Sequence, residues 1–149
     1  MTHISGTATF ERPGRLTVGG ETVEAKHIIV ATGARARQLP GLPFDGDRVM
    51  SYREAMVVEE KPERLLIIGA GAIGCEFAYF FNAFGTQVTL AEMAPRIVPV
   101  EDEDVSDALA KSFKRQGIDV RTNTLASGFK VTDSGVTATL KLSLIHISE

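Results

Sequence analysis

From Arg64 to Arg121 the apolar residues switch between a continuous run and a helical period. Leu65-Leu66-Ile67-Ile68 is uninterrupted and apolar, the pattern of a strand buried on both faces. Ala72 to Phe84 reads as a helix, with Ile73, Phe77 and Phe80-Phe81 predicted on one side, Phe84 extending it and Gly85 just past the end. Gln87 to Glu92 is a second strand. Glu103 to Gln116 is a second helix in which Val105, Leu109 and Phe113 recur every four residues. Acids (Glu101, Asp102, Glu103, Asp104) lead into it, Lys114 and Arg115 close it, and both ends suit the helix dipole. Gly117 stops it, and Ile118 to Arg121 is a third strand. Strand, helix, strand, helix, strand predicts an α/β fold: a parallel sheet with right-handed crossovers. Leu125 to Val131 and Val136 to Leu140, joined by Thr132-Asp133-Ser134-Gly135, predict a hairpin.

The first part of the chain has a different rhythm. Thr7 to Phe10, Leu16 to Val18 and Thr22 to Glu24 are short strands bounded by the turn signals Pro13-Gly14 and Gly19-Gly20. Lys26-His27-Ile28-Ile29-Val30 predicts a further strand that runs into Ala31-Thr32-Gly33. Gln38 to Pro43, with two prolines and a glycine, suits neither a helix nor a central strand and reads as a connection between domains. A short helix is predicted from about Tyr52 to Val58.

Candidate chemistry sits at the end of the Leu65–Ile68 strand. Gly69-Ala70-Gly71-Ala72-Ile73-Gly74 is a Gly-x-Gly-x-x-Gly turn between a strand and a helix. In such a turn the first glycine permits the bend, the second leaves room for a pyrophosphate, and the third lets helix and strand pack closely. Glu92 closes the next strand, eighteen residues beyond Gly74. A carboxylate there accepts hydrogen bonds from ribose hydroxyls and repels a 2′-phosphate, favouring NAD over NADP. Arg96 is the nearby base, and one arginine after a loop makes a poor 2′-phosphate site. By spacing alone, Glu76 complements the helix dipole from the first helical turn, and Cys75 is a small core residue. His3, His27 and His146 show no metal-ligand spacing, and none is assigned chemistry.

Composition narrows the classes. The 149 residues carry a net charge of −3 with no basic block, which argues against nucleic acid as a partner. One cysteine leaves no internal disulfide and no Cys-x-x-Cys pair. No apolar run reaches membrane-spanning length and no signal pattern opens the chain, so a cytoplasmic location is expected.

Ala31-Thr32-Gly33, Leu39-Pro40-Gly41, the run from Gly69 to Ala78, Glu92-Met93, Ile97-Val98-Pro99 and Gly117-Ile118 occur in the order seen in the flavoprotein pyridine nucleotide-disulfide oxidoreductases. The chain resembles that family over about residues 4 to 141, and within it the NAD-linked branch that oxidises dihydrolipoamide. The resemblance implies a Rossmann-like NAD-binding domain (42–141, an incomplete parallel sheet plus the hairpin) preceded by a β-rich remnant of an FAD-binding domain (1–41). It implies an NAD site at Gly69, Ala70, Gly71, Ala72, Ile73, Gly74, Cys75, Glu76, Glu92 and Ala126. Glu76 would stand near the nicotinamide, Ile73 near the flavin–nicotinamide stack and Ala126 on the adenine side. It implies FAD contacts at Gly6, Thr32, Gly33 and Ala34. The family passes electrons between a dithiol and NAD through FAD and a cysteine pair, as a homodimer and in one branch within a 2-oxoacid dehydrogenase complex. The flavin Gly-x-Gly-x-x-Gly, the Cys-x-x-x-x-Cys pair, the later Gly-Asp motif and the His-Glu pair are not in this sequence. No residue is therefore assigned a catalytic role, and the chain is expected to be an internal piece that does not run the full reaction. Residues 142–149 do not resemble the family and are expected to be foreign to the gene. The competing readings are a stand-alone NAD-binding module and another family member: a mercuric reductase, an NADH oxidase or a transhydrogenase.

Overall fold

The computed structural model describes residues 1–142, so the 143–149 part of the tail expected to be foreign lies outside the described residues. The chain divides into two compact units, Met1–Arg35 and the remainder from Ala36.

The first unit is an antiparallel sheet of β1 (Ala8–Arg12), β2 (Arg15–Val18) and β3 (Glu21–Glu24), in that order. Gly19 and Gly20 have φ of 58° and 90°, the left-handed pair that a two-residue hairpin between Val18 and Glu21 requires. The Arg12 guanidinium pairs with Glu24 across the sheet at 3.1 Å. The strand expected at Lys26–Val30 does not form. Ile29 is 92% and Val30 64% exposed, and no strand pairs with this run among the described residues. A β-branched run becomes a strand only when a neighbour takes up its backbone groups, and β-propensity alone does not supply one.

In the second unit the capping box of Ser51 and Glu54 starts α1 (Tyr52–Ala55), which ends after one turn rather than reaching Val58. β4 (Arg64–Ile68), β5 (Gln87–Ala91) and β6 (Asp119–Arg121) form a parallel sheet in the order β4-β5-β6, with Leu65 opposite Val88 and Leu90 opposite Val120. The crossovers are α2 (Ala72–Ala83) and α3 (Glu103–Gln116). This is the Rossmann-like α/β arrangement that the sequence pattern predicts. Gly117, at φ 85°, terminates α3 in the left-handed conformation. β7 (Thr124–Thr132) and β8 (Gly135–Leu142) complete the unit as an antiparallel hairpin.

Phe81, Val88, Leu90, Ile97, Phe113 and Ile118 anchor one core shared by both helices and the sheet. The inward face of α2 matches the predicted one only in part: Phe77 packs against the core and Phe81 lies in it. Cys75, Ala78 and Phe81 are buried, while Ile73, Phe80 and Phe84 are exposed. The cause is Gly74, which sits so close to β4 that a Cβ there would overlap the Gly69 carbonyl oxygen. That approach favours the small residues Cys75 and Ala78 on the inward face beside the turn, with Phe77 and Phe81 reaching the core behind them and Phe80 and Phe84 left outside. Phe80 and Phe84 pack on each other, ring centroids 5.0 Å apart, on the outer surface. In α3, Val105 is exposed and Ser106 is buried in its place, with Leu109, Ala110 and Phe113 following at helical spacing.

Candidate functional site

The parallel ladder runs directly into the glycine turn. Gly69 donates its N–H to the Ala91 carbonyl at 2.8 Å, one rung beyond the end of β4, and then bends at φ 100°. Only glycine takes that conformation without steric cost. Gly71 is the N-cap of α2, and a Cβ there would meet nothing within 4 Å. No side chain caps α2 and no acid stands in its first turn. Glu76 lies just beyond that turn, which removes the dipole-complementing role expected of it. The open space at Gly71 and the uncapped N–H groups suit an anionic group.

Glu92 reaches the turn. One carboxylate oxygen accepts the Ala70 N–H at 2.7 Å, and the other accepts the Ala94 N–H at 2.8 Å. The backbone of Glu92 is held as well: its N–H donates to Arg121 and its carbonyl accepts the Thr124 N–H, both at 2.8 Å. Asn123, at φ 49°, turns the chain between these two contacts and donates its N–H to Ala94 at 2.9 Å. A carboxylate oxygen carries two lone pairs, so each Glu92 oxygen keeps acceptor capacity for a ligand hydroxyl. Ala126 is half-buried in β7, two residues past Thr124 and therefore on the same strand face. Arg96 faces elsewhere: it pairs with Glu103 at 3.8 Å and donates to the Pro99 carbonyl at 3.5 Å.

Ala70 is fully buried, and its carbonyl accepts the Val98 N–H at 2.6 Å and the Cys75 thiol at 3.4 Å. Val98 has a φ of 39°, an unusual conformation for a β-branched residue. Burial pushes the Cys75 thiol up to about 11, the charges of Glu92 and Glu76 adding to the effect. Cys75 is thus a neutral core residue and not a nucleophile. Val98, Ala94 and Ser106 belong to the turn's support although the hydrophobic pattern does not single them out. The one signal for Ser106 is its position seven residues before Phe113, two helical turns along one face.

The NAD candidates Gly69 to Glu76 and Glu92 come together around one turn. The FAD candidates have no comparable setting. Gly6 has a φ of 155° and packs against Gly19, whose N would lie 2.8 Å from a Cβ at Gly6. Thr32, Gly33 and Ala34 are exposed, outside any helix or strand. Among the described residues no group of three or more His, Cys, Asp or Glu side chains could hold a metal ion. No helix among them is long and apolar enough to cross a membrane.

Residues 1–144 match the profile of the pyridine nucleotide-disulphide oxidoreductases. The chain belongs to this family. Dihydrolipoyl dehydrogenase of Zymomonas mobilis is 48% identical over 123 residues, which cover 82% of this chain and 26% of that protein. The Bacillus subtilis dihydrolipoyl dehydrogenase is 36% identical, covering 80% of this chain and 27% of its own length. Among solved structures, LpdA from Mycobacterium tuberculosis superposes with a TM-score of 0.70 at 29% identity, covering 94% of this chain and 31% of the other. The HOCl-induced flavoprotein disulfide reductase RclA from Escherichia coli gives 0.69 at 28% identity, covering 93% and 33%. The chain spans about a quarter of the length of these curated relatives.

Proposed function

We propose that this chain is the NAD-binding portion of a dihydrolipoyl dehydrogenase-type flavoprotein, with residues 42–141 forming the NAD domain and residues 1–41 closing the first flavin-domain segment. The observation that carries the reading is the contact of Glu92 with the Ala70 N–H, beside the open space at Gly71. It joins an acceptor for ribose hydroxyls to a donor surface for a pyrophosphate. NAD, when bound, supplies the hydride-accepting nicotinamide. Gly71, Ala72 and Ile73 present backbone N–H groups to the pyrophosphate, while Gly69 and Gly74 set the turn that aims them. Glu92 accepts the adenosine ribose hydroxyls and opposes a 2′-phosphate by like charge, and Arg96, engaged with Glu103, does not offset that repulsion. Ala126 borders the adenine. Glu76 and Ile73, exposed at the open end of α2, face the nicotinamide and the flavin of the complete protein. Thr32, Gly33, Ala34 and Gly6 contribute to the FAD site of the parent, a homodimer that serves a 2-oxoacid dehydrogenase complex.

The parent oxidises dihydrolipoamide and passes the electrons through FAD to NAD. The single cysteine of this sequence, buried and protonated, does not provide the thiol chemistry, so the chain alone does not form NADH from dihydrolipoamide. Calorimetric titration with NADH and NADPH tests the site. The expected outcome is binding of NADH in preference to NADPH, with Glu92→Ala weakening NADH by about 2 kcal/mol as charge-assisted hydrogen bonds are lost. A chain that binds neither nucleotide, or prefers NADPH, overturns the reading.

A further inference from the structure

Ser106 is among the most deeply buried polar residues of the described chain, at 1% exposure, and it lies in α3, away from the glycine turn in sequence. Its hydroxyl donates to the carbonyl of Ile97. That carbonyl and the Val98 N–H are the two ends of one peptide group, and the Val98 N–H donates to the Ala70 carbonyl at 2.6 Å. The Ala70 carbonyl is in turn one end of the peptide group whose other end is the Gly71 N–H. In a trans peptide C=O and N–H point in opposite directions. The three residues therefore form an aligned series of donors: Ser106 hydroxyl, Val98 N–H, Gly71 N–H. Its last member belongs to the residue where the missing Cβ leaves open space.

We propose that Ser106 is a positioning residue for anion binding at Gly71, acting through the Ile97–Val98 and Ala70–Gly71 peptide groups. The inference rests on the dinucleotide reading above and assigns part of that site to a helix that does not touch the ligand. Hydrogen bonds in series polarise one another, so each donor upstream strengthens the Gly71 N–H as a donor. The left-handed Val98 supports the same conclusion. A β-branched residue at φ 39° persists only where its surroundings hold it, and here the Val98 carbonyl also accepts the Glu101 N–H at 2.9 Å. Backbone strain of this kind concentrates where a peptide must be aimed. Glu92 fixes the preceding peptide by taking the Ala70 N–H, so the turn is held from both β5 and α3.

The test compares the unaltered chain with Ser106→Ala and Ser106→Thr, using three probes: NADH, ADP-ribose and adenosine. Ser106→Ala is expected to weaken NADH and ADP-ribose by the same factor, about threefold, because the Gly71 N–H remains and only its polarisation is lost. Adenosine, which has no phosphate, is expected to bind it unchanged, and Ser106→Thr, which keeps the hydroxyl, to bind NADH as the unaltered chain does. Equal NADH affinity in Ser106→Ala and the unaltered chain overturns the proposal, as does an equal loss for adenosine. A chain that binds NADH only through the Ser106→Ala-insensitive route therefore leaves the dinucleotide reading standing and removes this one. No dinucleotide binding by the unaltered chain removes both. Should Ser106→Ala fail to fold, amide exchange on the unaltered chain decides. A Val98 N–H that exchanges as fast as exposed loop amides overturns the proposal, and one protected like those of β5 supports it.

Discussion

Two stretches of this chain share a local pattern and have opposite fates. Ile28-Ile29-Val30 and Leu65-Leu66-Ile67-Ile68 are both apolar runs followed by a glycine-bearing segment. The second is a strand paired residue for residue with β5, and its turn is tied to Glu92 and Val98. The first has no partner strand among the described residues, and the Thr32-Gly33-Ala34 segment after it stays exposed. The difference lies in the neighbours. A parallel strand depends on segments well along the chain, and β4 finds them at Gln87–Ala91, whereas no described segment plays that part for Ile28–Val30. The glycine turn after such a strand is only as well defined as the strand that leads into it.

The comparison is broken most severely at Gly74. Gly74→Ala places a Cβ on the Gly69 carbonyl, which helix and strand can relieve only by separating. The expected cost is about 3 kcal/mol, the upper range for overpacking, together with loss of NADH binding; thermal melting and calorimetry report the two. Retention of both would show that the close crossing is not what assembles the turn.

A smaller effect sharpens the contrast through Cys75, which reports exclusion of water beside the assembled turn. The folded thiol keeps its proton to about 11, against an ordinary value of 9.0. Between these values the unfolded chain ionises and the folded chain does not. The contribution is intact below pH 9 and is lost as pH rises toward 11, at about 1.4 kcal/mol per unit. The difference in stability between the unaltered chain and Cys75→Ala should therefore change with pH across this window and stay constant below it. A parallel pair of pH profiles would place the thiol in water.

The smallest effect belongs to the unpaired run. Ile29→Thr removes a side chain that is 92% exposed, so a stability change within about 0.5 kcal/mol is expected on denaturant unfolding. A large loss would mean that the run is buried in solution and that the two stretches are alike after all.

The alternation of strands and helices was readable because each long element carries its own evidence. α3 begins and ends where its acids, its bases and Gly117 place it, and β4 and β5 follow from their apolar runs. The glycine turn and Glu92 were legible as a pair for the same reason: spacing along one strand–helix–strand unit sets them side by side. What escaped depends on contacts between elements. The inward face of α2 depends on the approach of Gly74 to Gly69, so of the large apolar residues expected on it Phe77 and Phe81 meet the core while Ile73, Phe80 and Phe84 do not. Ser106 looks like an ordinary polar helical residue until the Ile97 carbonyl is seen beneath it. Val98 is one apolar residue among several in its loop, and nothing in its side chain announces a left-handed backbone.

The meeting of Gly74 with Gly69 is a contact between main-chain atoms on both sides. Its geometry consequently depends little on the side chains of the outer surface of α2. Substitutions over the outer surface of α2, including Tyr79, Phe80 and Phe84, can accumulate without moving the crossing point, while the two glycines have almost no acceptable replacements. The turn is in this sense insulated from drift in its own helix. Chains that differ widely along α2 can present the same backbone donors to the same ligand.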